Sequence, residues 1–584
     1  MTPIALRQKI QPEVFMSTTA ASAPPPLDDV SNAPGYATHE VLNQPGALVD
    51  YNAFAGDVAL QESVKVFGAD WADGLLRRTG VVVGSEKVQY LARQANRHVP
   101  ELKTHDRFGN RVDLVEFHPA YHELMSLIFG SETHSFAWTH QGRPGAHVAR
   151  AVLSYLWNQG ENGICCPMGM TFASIPALRH DPALLDEWSP HILKAAYDDR
   201  PIYAKEKAGV TVGMAMTEKQ GGSDLRATIT TARPATARRG SGAPYLLTGH
   251  KWFFSVPMSD IFLTLARTEK GLCCFVATGW LPDGSRNRLK IQRLKDKCGN
   301  KSNASSEIEF YDLYATMLGE EGRGIRTIIE MAHVTRLDFA VGSSGLMRQA
   351  LSQAIHHTSN RRAFQRSLID LPIMRNVVAD LAVESEAFLW LSMRLAAALD
   401  NEHEDRAEGL LSRICTPVAK YWACKQAPQF VVEALECHGG NGFIGEHLME
   451  RLYREAPLNG IWEGTGNVIC LDVLRSMQRE PETVDAFLTE VRLARGADAR
   501  LDAFTDGLER RLANLPELEP IARRVIELMA FALQGSLLVR YSTPGMADAF
   551  CATRLDGDWG RAFGTLPNGF DTQAIVDRAR IRAV

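Results

Sequence analysis

Two short stretches hold the residue types that could do chemistry. In Met216-Thr217-Glu218-Lys219-Gln220-Gly221-Gly222-Ser223-Asp224, hydroxyls flank a pair of glycines. Glycine removes the Cβ that blocks close approach, so backbone N–H groups and the hydroxyls of Thr217 and Ser223 can donate to a phosphate or a ring carbonyl. The same residues serve equally well as a plain hairpin turn. In Ile461-Trp462-Glu463-Gly464-Thr465-Gly466-Asn467, a carboxylate stands between a tryptophan and a glycine, ahead of the helical run NVICLDVLRSM. An apolar, close-packed pocket there raises the pKa of Glu463 toward the range of a general base. The alternative is a glutamate favoured at a helix N-terminus by the helix dipole.

The elements that must position these stretches follow from periodicity. From about Tyr51 to Asp198, apolar residues recur every three or four positions, as in HELMSLIFG and VARAVLSYLWNQG, which predicts amphipathic helices. Between Gly209 and Ala315 the pattern becomes short β-branched and aromatic runs such as YLLTGHKWFFSV and GLCCFVAT, which predict a small antiparallel sheet or barrel. Helical spacing returns from Gly324 to Met477 in long segments, and again after Arg479-Glu480-Pro481-Glu482. The expected fold is α+β: a tail over 1–40, a helical domain over 41–205, a central β domain over 206–322, a helical bundle over 323–480 and a helical extension over 481–584.

Composition narrows the function classes. A hydrophobic fraction of 45% and a charged fraction of 22% are those of a globular protein, and the first residues hold no apolar signal segment. The net charge of −5 excludes a generally basic nucleic-acid binder. Ten cysteines, two vicinal pairs among them but no CxxC, predict buried thiols in a reduced cytoplasmic protein, and no metal site.

TEKQGGSD, followed by Gly249-His250-Lys251-Trp252-Phe253-Phe254-Ser255 and then by WEGTGN, resembles the motif set of acyl-CoA dehydrogenases. The resemblance implies FAD as cofactor. Thr217 and Ser223, with Met216 and Gly222 in the same loop, would contact flavin and pyrophosphate. Phe253, Phe254 and Ser255 would cover one flavin face, with Phe253 where tryptophan is commoner. Glu463 would remove the α-proton of an acyl thioester while the β-hydrogen leaves as hydride to the flavin. Ile461, Trp462, Gly464, Thr465, Gly466 and Asn467 would line the same site. Arg361 and Phe364 match a motif that reaches the flavin diphosphate of a neighbouring subunit, with Gln365 in place of the usual glycine. Gly439 and Gly440 match the segment that meets adenosine across a dimer, with Glu436 where glutamine is usual. A homo-oligomer, a tetramer by family habit, is therefore expected.

MTEKQGGSD, LTGHKWFFSVP, RLKDKCGNKSNAS, RLYREAPLNGIWEGTGNV and the extension resemble the adaptive-response branch of that family. That branch implies binding of double-stranded DNA through the extension, protection of DNA or deactivation of small alkylating molecules, and weak activity on isovaleryl-CoA-like thioesters. The alternative is a metabolic short- or branched-chain acyl-CoA dehydrogenase. Residues 481–584 hold thirteen arginines, no lysine and fifteen acidic residues, so bulk charge lends DNA binding no support. Placement must supply it, and Arg492, Arg495, Arg510, Arg511, Arg523 and Arg524 are the candidates. In isovaleryl-type relatives the base sits just after the sheet, where this chain has Thr335. Asp338, one turn on, is expected to be a polar core or inter-helix residue.

Overall fold

A computed structural model of the chain describes residues 39–513 and 518–582. The expected tail lies outside them except for its last two residues. Residues 1–44 form a separate unit, whose described residues 39–44 contain no helix or strand; the fold that follows is that of Pro45–Val584.

The order α, β, α is observed. Helices α1 (Val58–Val66), α2 (Asp73–Val83), α3 (Glu86–Arg97), α4 (Pro119–Gly130), α5 (Phe136–Thr139), α6 (Ala146–Gly160), α7 (Cys165–Leu178) and α8 (Pro182–Ile192) come first, with a hairpin of β1 (Glu101–His105) and β2 (Arg111–Glu116) between α3 and α4. Seven strands follow: β3 (Val212–Ala215), β4 (Thr231–Pro234), β5 (Pro244–Ser255), β6 (Ile261–Thr268), β7 (Gly271–Thr278), β8 (Leu289–Leu294) and β9 (Ser305–Leu318). They pair in the order β3-β6-β4-β5-β9-β7, with β8 on β9 and a further β6–β7 pairing. Most pairings are antiparallel, as expected, but β3 and β4 both run parallel to β6. Each enters beside β6 after a long connection, whereas the tight turn between β6 and β7 enforces an antiparallel pair.

The second helical part contains α9 (Gly324–Asn360), α10 (Pro372–Asn401), α11 (Arg406–Glu436), α12 (Gly440–Phe443), α13 (Leu448–Glu455) and α14 (Gly466–Arg479), with the two-residue strands β10 (Arg362–Ala363) and β11 (Arg366–Ser367) between α9 and α10. The extension adds α15 (Glu482–Arg492), α16 (Ala499–Leu512), α17 (Ala522–Tyr541), α18 (Pro544–Phe550) and α19 (Thr572–Ala579). Among the described residues, no helix is long and apolar enough to cross a membrane.

α9 is the central beam. Its 37 residues span about 55 Å, and it packs on α6, α7, α10 and α11. α6 is buried all round, which is why its sequence carries apolar residues off the usual stripe. Arg150 in α6 forms a bidentate ion pair with Asp338 in α9, as the inter-helix expectation for Asp338 requires. One apolar cluster runs from Leu60 in α1 through Val341 and Phe388 to Val525, Phe550 and Val576, so the extension shares its core with the helices before it. Buried charge seals the join. Arg554 Nη2 lies 2.6 Å from Asp380 Oδ1 and 3.1 Å from Glu384 Oε2 in α10, and Arg578 Nε lies 2.8 Å from Glu386 Oε2.

Candidate active site

β3 delivers the glycine loop. Trp252 N–H donates to the Thr217 carbonyl at 2.8 Å, and Glu218 and Gly221 exchange backbone hydrogen bonds at 3.1 and 3.0 Å, which folds Thr217–Gly222 back on itself. Gly222 has to be glycine, since a Cβ there would stand 2.4 Å from Thr217 Oγ1. Beneath the loop lies a pair that sequence reading missed: Glu218 Oε1 accepts from Lys251 Nζ at 2.8 Å with both side chains buried, and also from Thr230 Oγ1 at 2.5 Å. Burial raises the Glu218 pKa, but Lys251 outweighs it and holds the carboxyl down at about 2. Only half of the signal was available: Lys251 runs into the apolar Trp252-Phe253-Phe254, whereas Glu218 sits in a polar loop that does not announce a buried carboxylate.

Phe253 is 51% exposed, with Lys295 Nζ 4.7 Å from its ring centre. Phe254 corrects the sequence assignment. Its ring belongs to the core of the sheet, 4.9 Å from Phe262, rather than to a cofactor face. A register shift between Lys251 and Phe254 breaks the simple alternation and turns both of those side chains inward. Ser255 pairs in register with Ser305.

The glutamate loop leaves the short turn Leu458–Gly460 and enters α14. Trp462 stacks on Phe339 of α9, with ring centres 5.2 Å apart and planes 7° apart, and its Nε1 donates to Asn459 Oδ1 at 3.0 Å. Glu463 itself adopts φ +53° and Gly464 φ +111°, a pair of left-handed residues that needs outside support. Arg336 Nε donates to the Glu463 carbonyl at 3.1 Å, and Lys420 Nζ to the Gly464 carbonyl at 2.6 Å. Arg336 is held in turn by Asp472 at 2.7 Å. Glu463 is half-buried as a residue, and burial of its carboxyl raises the pKa against the opposing charges of Arg336 and Lys420. It stands two residues before Thr465, the N-cap of α14, and so outside the helix. The thiol of Cys166 is pushed up to about 12 by burial, with the charge of Glu463 adding to the rise.

α9 is the common scaffold for both loops. Met216 packs against the apolar cluster that contains Met331 and Val334, and Arg336 in the next residues grips the glutamate loop. Thr335 is buried, its hydroxyl donating to the Ala332 carbonyl at 3.1 Å. A cleft of about 290 Å³ is lined by Trp138, His147, Arg179, His333, Asp400 and Glu402 among others, and Glu463 is not part of its wall. Among the described residues, no group of three His, Cys, Asp or Glu could hold a metal ion.

Arg361 ends α9, and Phe364 and Gln365 form the β10–β11 turn with φ +51° and +62°. Gln365 therefore holds a conformation that favours the glycine it replaces. Phe364 is 87% exposed. A Cβ on Gly439 or Gly440 would meet nothing within 4 Å.

The arginines proposed for DNA divide into three sets. Arg492 at the end of α15 pairs with Glu509 of α16 at 2.5 Å, and Arg495, three residues beyond α15, with Asp506 of α16 at 2.5 Å, all four side chains staying exposed. Arg523 Nε donates to Asn467 Oδ1 at 2.8 Å, on the glutamate loop. Arg510, Arg511 and Arg524 are exposed and form no ion pair among the described residues. The first set is thus already paired with carboxylates at the surface.

Residues 213–313 and 322–478 match the models for the middle and C-terminal domains of acyl-CoA dehydrogenase, and residues 43–199 match the adaptive response protein AidB N-terminal domain. The chain is 42% identical over 522 residues to AidB of Escherichia coli (strain K12), covering 89% of this chain and 95% of that protein. The chain belongs to the acyl-CoA dehydrogenase family. A second acyl-CoA dehydrogenase, family member 11 of Caenorhabditis elegans, is 28% identical over 492 residues, 79% of this chain and 78% of that protein. The solved structure of C. elegans ACDH-11 in complex with C11-CoA superposes with a TM-score of 0.80 at 25% identity, over 89% of this chain and 94% of that one. The acyl-CoA dehydrogenase fold, with its helical ends and central β domain, and FAD-dependent oxidoreductase chemistry come with that membership. The residues fit FAD: Thr217 and Ser223 bracket a glycine turn at the end of β3, Phe253 leaves half its surface uncovered, and Gly439 and Gly440 leave room for a close approach.

Proposed function

We propose that this flavoprotein dehydrogenates the Cα–Cβ bond of acyl-CoA thioesters of the short, branched, isovaleryl-like kind, with Glu463 as the base. The observation that carries the reading is the Glu463 carboxyl itself, raised by burial and set on a loop held by Arg336 and Lys420. A carboxylate of raised pKa takes an acidified α-proton more readily than one in water. FAD supplies the acceptor for the β-hydride. Anaerobic bleaching of the flavin by isovaleryl-CoA tests this, and Glu463→Gln should abolish bleaching while FAD stays bound. A wild-type flavin left oxidised at saturating thioester, or a variant that bleaches as fast, refutes it.

A second reading, binding of double-stranded DNA as part of an adaptive response to alkylation, is favoured by Arg510, Arg511 and Arg524, which are exposed and form no ion pair among the described residues. Protection of the bound DNA, or deactivation of small alkylating molecules by the flavin, would follow. Phosphate contacts by all three predict that the triple alanine variant lowers the slope of log K against log salt by about 2–3. An unchanged slope removes these residues from the interface. The exposed Phe364 and Phe443 support a homo-oligomer, tetrameric as in the family, in which a neighbour completes the FAD site. Light scattering on the FAD-loaded protein checks the mass, and a monomer would refute it.

A further inference from the structure

We infer that the extension holds the glutamate loop in place through Arg523, a positioning residue that acts on Glu463 by way of Asn467. The catalytic meaning of this clamp rests on the reading of Glu463 as base; the clamp itself rests on geometry alone.

The loop from Ile461 to Asn467 contains two consecutive left-handed residues, one of them not glycine, so its shape must be fixed by its surroundings. The tethers at its centre come from the core that ordinary family members also possess: Arg336 on the Glu463 carbonyl and Lys420 on the Gly464 carbonyl. Beyond them the loop turns into α14, whose N-cap Thr465 makes no side-chain capping bond. An uncapped first turn is free to fray unless something else grips it. Arg523 does so. It stands at the start of α17, and its Nε donates to Asn467 Oδ1 at 2.8 Å. A Cβ on Gly466 would lie 3.1 Å from Lys425 Cε, 3.2 Å from Tyr421 Cε2 and 3.4 Å from Arg523 Nη2, so the first residue of α14 is enclosed by α11 on one side and α17 on the other.

α17 is a firm base for this grip. Val525, Ile526 and Met529 are completely buried, and the helix packs on α11, α14 and α15. Arg523 itself forms no ion pair among the described residues, so no carboxylate there draws it away from Asn467. The extension therefore contributes to the site on the side where the core supplies no tether.

The test uses the full-length, FAD-loaded protein and the variants Arg523→Ala, Arg523→Lys and Asn467→Ser, the last removing the acceptor without touching α17. Hydrogen exchange should speed up about tenfold at residues 464–470 in the alanine and serine variants, with α9 unchanged, and the lysine variant should recover part of the protection. Stopped-flow bleaching by isovaleryl-CoA should show a saturating rate about tenfold lower, with the half-saturating concentration unchanged. Unchanged exchange in both Arg523→Ala and Asn467→Ser overturns the clamp. Faster exchange with an unchanged saturating rate overturns its action on Glu463. If the wild-type flavin is not bleached at all, the dehydrogenase reading fails, and the exchange measurement still decides the clamp.

Discussion

Replacing Arg554 by methionine strips two buried carboxylates of their cation. Arg554, Asp380 and Glu384 are each 0–1% exposed at their side chains. Asp380 would keep hydrogen bonds from Trp559 Nε1, Gly564 N–H and Thr565 N–H at 3.2, 2.9 and 3.3 Å. Glu384 would keep none, because Arg554 alone reaches its Oε2 and its Oε1 has no partner. Breaking a buried pair in this way costs about 3–5 kcal/mol, and the guanidinium 4.1 Å over the Trp559 ring adds about 1 kcal/mol. Together these span about 4–6 kcal/mol, and we take the lower end, about 4 kcal/mol. The unit Pro45–Val584, if it melts as one, has an unfolding entropy near 1.1 kcal/mol/K, so the midpoint falls by about 4 °C. If the extension melted by itself, its roughly fivefold smaller entropy would turn the same loss into a separate transition about 20 °C lower. The shared apolar cluster and the Arg554 and Arg578 joins predict the single, small shift. Calorimetry at several pH values measures it. Burial already raises the Glu384 pKa against the pull of Arg554. A carboxyl whose folded pKa exceeds its unfolded one binds its proton better when folded, so the deficit of the variant should shrink as pH falls from 8 to 5. The double variant Arg554→Met, Glu384→Gln should recover much of the loss at pH 8. A shift below 1 °C, or an early separate transition, would refute the reasoning.

Other expectations follow from the same geometry. Lys420→Met removes a cation that opposes the raised Glu463 pKa, so the acid limb of the bleaching rate should move to higher pH; an unmoved limb counts against Glu463 as the titrating base. Glu218→Gln leaves Lys251 buried without its carboxylate, which should cost about 3–5 kcal/mol in urea unfolding and loosen FAD. Because the Glu218 pKa is held at about 2, its stabilisation in the wild type is complete above the ordinary carboxylate range near 4.5 and is lost as pH falls toward 2. An unchanged urea midpoint in the variant would show that the pair is not what holds the loop.

The sequence carried the α, β, α order and both loops because each rests on local features: period, glycine placement and the residues beside Glu463. It could not carry what depends on a register or on a distant partner. Phe254 was misplaced because a single bulge, invisible in an apolar run, reverses which residues face inward. Arg492 and Arg495 look free in sequence, yet Glu509 and Asp506 on the next helix neutralise them. Nothing in a linear sequence places Arg523 beside Asn467. The parallel pairing of β3 with β6 likewise depends on topology rather than on strand composition.

Glu62 in α1 and Arg578 in α19 meet at 2.5 Å although 516 residues separate them, and Gly56 lies so close to Ile581 that a Cβ would reach to 2.7 Å. At a synthesis rate of about 5–20 residues per second, the ribosome makes Glu62 roughly half a minute to nearly two minutes before its partner exists. α1 can form early, but it cannot reach its final packing until α19 has been made. The first helix of the fold is thus among the last to be finished, and during that interval the nascent chain exposes the surface that α19 will cover.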